Sequence, residues 1–66
     1  MSLYDALVLE LNKMLIENEQ NRLCANTEYL KGAYIAYHNC ILDVFNRLHI
    51  SFPDGEDYYD EDMLDE

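Results

Sequence analysis

Cys24, His38, Cys40 and His49 are the residues of this chain best suited by type to nucleophilic or metal chemistry. Their spacing argues against both. His38 and Cys40 stand two apart, so on a helix they point in different directions and form no local Cys/His pair. None of the four follows the Cys-x₂₋₄-Cys or His-x₃₋₅-His spacing of a structural zinc site. No glycine-rich phosphate loop or serine elbow is present. The expectation is a non-enzymatic protein with no metal and no cofactor, with His38 at a surface or helix boundary and His49 favouring a helix C-terminus. The cysteines read as small buried or boundary thiols. In a hairpin turning near residue 25, Cys40 falls opposite residue 11, too far from Cys24 for a disulfide.

Two other residue groups could support binding. Tyr34 and Tyr37 either pack in a helix seam with their hydroxyls at its edge or line a pocket that stacks a nucleotide-like ligand. Phosphates in such a pocket would need Lys13, Arg22, Lys31 or Arg47. The second group is acidic. The formal net charge is −10. Residues 1–50 hold six acids and four bases, whereas residues 51–66 hold eight acids and no base. Direct nucleic-acid binding is disfavoured, because it requires cations against phosphates. A basic partner is favoured, because opposite charge steers encounter. Asp54, Glu56, Asp57, Asp60, Glu61 and Asp62 would supply the charge, and Tyr58, Tyr59, Met63 and Leu64 the anchors.

The elements that must position these groups are helical. A first helix over about 2–24 follows from the apolar spacing Leu3, Leu7, Leu11, Met14, Leu15, with Ser2 as N-cap. Leu9 and Ile16 interrupt its polar face and suggest more than one neighbour. Asn26 and Thr27 mark a break, and a second helix is expected over about 27–49. Leu30, Tyr34, Tyr37, Ile41, Val44 and Leu48 step by 4, 3, 4, 3 and 4, a heptad-like seam assigned to the oligomer interface. Ile35, Leu42 and Phe45 form a further row that one partner helix cannot cover and that a hairpin would leave exposed. Pro53-Asp54-Gly55 is a turn signal. Like-charge repulsion then predicts a flexible acidic tail over residues 51–66.

The fold class expected is therefore all-α: a helical hairpin over residues 1–50, dimerised into a four-helix arrangement, with an acidic tail. A chain this short needs a stabiliser beyond its own core, and its hydrophobic content points to a second copy. There is no basic leader or membrane-length apolar run, so a cytoplasmic location is expected.

The stretch Glu28-Tyr29-Leu30-Lys31-Gly32-Ala33-Tyr34-Ile35-Ala36-Tyr37, after a first helix and a short turn, resembles a helix opening found in very small helical proteins of bacterial viruses. The resemblance spans about residues 3–48. It implies a host-directed interaction protein in a bacterial cytoplasm, such as an inhibitor of a defence nuclease or another nucleic-acid-binding protein. It carries over no functional residue. A nucleotide sponge and a structural oligomerisation module are the alternatives.

Overall fold

The computed structural model describes residues 2–60 and contains two helices, α1 (Leu3–Cys24) and α2 (Glu28–Arg47), packed against each other as a hairpin. Each begins at a side-chain cap. The Ser2 hydroxyl accepts from the Asp5 amide, and the Thr27 hydroxyl accepts from the Leu30 amide, both at 3.1 Å. Each cap satisfies a donor that the first turn leaves free. Ala25, Asn26 and Thr27 connect the helices without glycine or proline.

The end of α2 is set by a residue that the sequence reading placed inside the helix. His49 adopts φ 58°. Its amide donates to the Asn46 carbonyl, and the Ile50 amide donates to the Phe45 carbonyl at 2.9 Å. These two bonds make a Schellman motif, normally built on glycine. Its hydrophobic contact is present as well, because Ile50 packs on the cluster that contains Phe45. The helix thus ends two residues before the expected boundary, and the chain turns back.

The core is Leu11 and Leu15 from α1 with Ile41, Leu42 and Phe45 from α2, and Ile50 and Phe52 pack against it. Leu42 and Phe45 are 0% and 1% exposed. The row expected to be left exposed is instead the inward one. Ile35, Leu42 and Phe45 face inward. Of the seam, Ile41 is buried and Tyr34 half-buried, while Leu30, Tyr37, Val44 and Leu48 are exposed. A polar pin accompanies the core: the buried Asn18 amide donates to the Tyr34 carbonyl at 2.7 Å, joining α1 to α2.

Residues 51–60 do not leave the hairpin as the flexible tail expected from their charge. They form a strap along it. Pro53 to Glu56 make a turn closed by the Glu56 amide on the Pro53 carbonyl, with Gly55 at φ 82°. That left-handed conformation suits glycine, which has no Cβ to clash. Phe52 sets its ring edge-on to both Phe45 and Tyr58. Apolar burial and hydrogen bonding oppose the like-charge repulsion here. Glu61, Asp62, Met63 and Leu64 lie outside the described residues.

α1 is apolar on more than one side, as the sequence suggested. Leu9, Ile16 and Leu23, one heptad apart, are exposed away from the core. No helix among the described residues is long and apolar enough to cross a membrane.

Candidate functional site

The strap covers one side of the hairpin, and an apolar groove opens on another. The covered side centres on His38, which is 1% exposed rather than at a surface or helix boundary. It occupies the inward row with Ile35, Leu42 and Phe45, at steps of 3, 4 and 3. The Tyr59 ring stacks on its imidazole at 3.7 Å between centroids and 8° between planes. Nε2 lies 2.8 Å from the Asp57 carbonyl oxygen. A carbonyl can only accept, so Nε2 carries the proton. Nδ1 is then left without a hydrogen-bond partner among the described residues. The Glu56 carboxylate is 3.7 Å from Nε2.

Asn39, beside His38, holds the strap by its backbone. Its Nδ2 donates to the Tyr59 carbonyl at 3.0 Å, and its Oδ1 accepts from the Tyr59 amide at 2.8 Å. One side-chain amide thus pairs with one residue's backbone donor and acceptor, much as a neighbouring strand would. The Tyr59 hydroxyl donates to Glu19, which also binds Arg22, and the Arg22 guanidinium lies 5.2 Å from the Tyr59 ring centroid. The hydrogen bond from Arg22 holds the Glu19 carboxyl below its ordinary range. Burial, reinforced by the Glu19 hydrogen bond, pushes the Tyr59 phenol up to about 12. Nearer the turn, the Tyr58 hydroxyl donates to Asp43 at 2.8 Å, which raises its phenol above the usual value.

The predicted partner-binding residues are thereby divided. Tyr59 is engaged within the chain, and Tyr58 is exposed but tied to Asp43. Glu56 is half-buried. Asp54, Asp57 and Asp60 are exposed, and the Asp57 carboxylate accepts from the Tyr58 amide. Asp43, also exposed, is joined to the strap by the Tyr58 hydroxyl. Sequence reasoning missed Asn39 and Glu19 and named Arg22 only as a cation for a nucleotide phosphate; the roles of all three depend on where the strap lies.

The open groove is on the other side. Leu11, Met14, Tyr37, Cys40, Ile41 and Val44 line a depression of about 380 Å³, with Asn18 and Glu17 as its polar groups. Leu11 and Cys40 share this groove, as the turn position implied. Tyr34 is not in its lining, and neither is any cation. An anionic nucleotide would meet Glu17 instead of a neutralising charge, which disfavours the sponge reading. Cys24 and Cys40 are both free and exposed; neither is buried, and Cys24 lies at the boundary of α1. Among the described residues, no cluster of His, Cys, Asp and Glu could hold a metal ion.

The fold and these two surfaces define a strapped helical hairpin with an acidic side and an apolar side. No family model, curated protein or solved structure matches the chain.

Proposed function

We propose that the protein is a non-enzymatic interaction protein that engages a basic partner through the acidic face of its strap. The observation that carries this reading is the outward display of Asp54, Asp57 and Asp60 on a segment whose backbone is tied to α2, with Asp43 beside it. Residues 48–60 contain no lysine or arginine to neutralise them. Held in position, carboxylates lose less freedom on binding than those of a free tail, so more of their attraction remains as affinity. Spaced carboxylates on a rigid support suit a surface that otherwise receives phosphates. The resemblance to small proteins of bacterial viruses favours a host nucleic-acid-binding or defence protein as the target.

The test neutralises charge and preserves the strap. Deleting the tail would also remove Phe52 or Tyr59 contacts and confuse folding with binding. The triple variant Asp54→Asn, Asp57→Asn, Asp60→Asn keeps similar side-chain volumes and leaves an oxygen at position 57 to accept from the Tyr58 amide. Immobilised protein is exposed to bacterial lysate, and duplex DNA is used to displace what binds. The reading expects a basic protein that DNA releases and that the triple variant fails to retain. Equal retention by a triple variant with unchanged helical circular dichroism overturns it.

A further inference from the structure

We infer that the open groove is closed by a second copy of this chain, packed antiparallel with its two-fold axis crossing α2 between Cys40 and Ile41. Three observations converge on this occupant and this geometry.

The first is the location of exposed apolar surface. Tyr37 is 58% exposed, and Met14, Val44 and Leu48 are also exposed on this side. The seam that was periodic enough to suggest an interface is the face the hairpin leaves uncovered. Its 4-3 spacing makes both a ridge and a flanking groove, so the same surface can act as both halves of a symmetric contact.

The second is charge. Like-charged copies repel each other, and the acids of the strap lie on the opposite side of the hairpin. The groove lining carries only Glu17. Approach through the groove points both straps outward and keeps their carboxylates apart; approach through the strap would oppose them. The groove therefore suits a neutral, apolar surface, which the seam of a second copy provides.

The third is fit. The antiparallel register sets Tyr37 against the partner's Val44 and Leu48 against the partner's Ala33, a large side chain meeting a smaller one each time. A parallel register would oppose Tyr37 to its own copy and bring the two Arg47 side chains together. The antiparallel arrangement also opposes the helix dipoles favourably.

The test uses the full chain. Sedimentation equilibrium at tens of micromolar should give twice the 7.8 kDa chain mass. Tyr37→Glu should weaken the dimer at least ~100-fold by placing a carboxylate against the apolar partner, with helical circular dichroism unchanged because Tyr37 is largely exposed. Met14→Glu should do the same from α1. A short bis-maleimide should join the wild-type chains through Cys40, with linkage persisting in Cys24→Ser and lost in Cys40→Ser. A chain mass of 7.8 kDa throughout overturns the inference. So does a dimer indifferent to Tyr37→Glu. A dimer without Cys40 linkage overturns the antiparallel geometry. The triple Asp→Asn variant of the strap should keep the dimer mass, so this inference and the acidic-face proposal can fail separately.

Discussion

Replacing Asn39 by alanine removes the bracket that fixes the strap. The side chain supplies one donor and one acceptor to the Tyr59 backbone, at 3.0 and 2.8 Å. A typical intramolecular hydrogen bond contributes about 0.5–1.5 kcal/mol net, so two give about 1–3 kcal/mol. Alanine is the better helix former by at most about 0.7 kcal/mol, which offsets part of the loss. The net expected destabilisation is about 1–2 kcal/mol. For a chain of this size each 1 kcal/mol moves Tm by about 4–8 °C, so thermal unfolding should show a drop of about 4–16 °C. The local effect is more diagnostic than Tm. Amide hydrogen exchange at Tyr59 should accelerate more than exchange at Leu42 in the centre of α2, because the Tyr59 amide loses its direct acceptor. Asn39→Asp retains that acceptor but puts a carboxylate against the Tyr59 carbonyl. It should leave the strap no better held than alanine does. Unchanged Tyr59 exchange in Asn39→Ala would refute the bracket and, with it, the attachment of the acidic strap to α2.

Three further outcomes follow from the same geometry. His49→Gly should raise Tm, because glycine relieves the left-handed conformation by about 1–2 kcal/mol while costing about 0.5–1 kcal/mol in unfolded-chain entropy; a lower Tm would contradict the Schellman assignment. Leu42→Ala should cost about 2–5 kcal/mol through the cavity it leaves at a fully buried site, and urea titration showing less than 1 kcal/mol would place the core elsewhere. Stability should also fall at both extremes of pH. The Glu19 carboxyl is lowered on folding, so its contribution is present above the unfolded value of 4.5 and is lost as pH falls through the folded one. The Tyr59 phenol is raised from 10.0 to about 12, so its contribution is present below 10 and lost as pH rises from there towards 12. After allowance for solvent screening at this partly exposed group, the Tyr59 effect is about 1 kcal/mol. Tyr59→Phe should abolish most of the alkaline limb in a pH-dependent denaturation series, and a limb of unchanged size would assign it to another group.

The helices were legible because the information that starts and spaces them is local. Ser2 and Thr27 cap the two starts as their types suggest, and Pro53-Asp54-Gly55 turns the chain where expected. Which α2 row faces inward was not legible, because both rows have helical spacing. Counting His38 as polar opened a gap between Ile35 and Leu42 and made that row look secondary. With His38 included, residues 35, 38, 42 and 45 form a row as regular as the seam. The strap was hidden for a different reason. Its charges argue against folding when summed, but its attachment depends on Phe52 in the core, Tyr59 on a buried imidazole and a backbone bracket from Asn39. None of these has a sequence period. Once the strap covers one side of the hairpin, charge and hydrophobicity separate: the carboxylates collect on the strap, and the seam is left bare opposite. An apolar face with almost no charge and an acidic strap with no lysine or arginine of its own are complementary to different partners. That separation is the physical reason to expect both surfaces to be occupied at once, by a second copy on one side and a basic protein on the other.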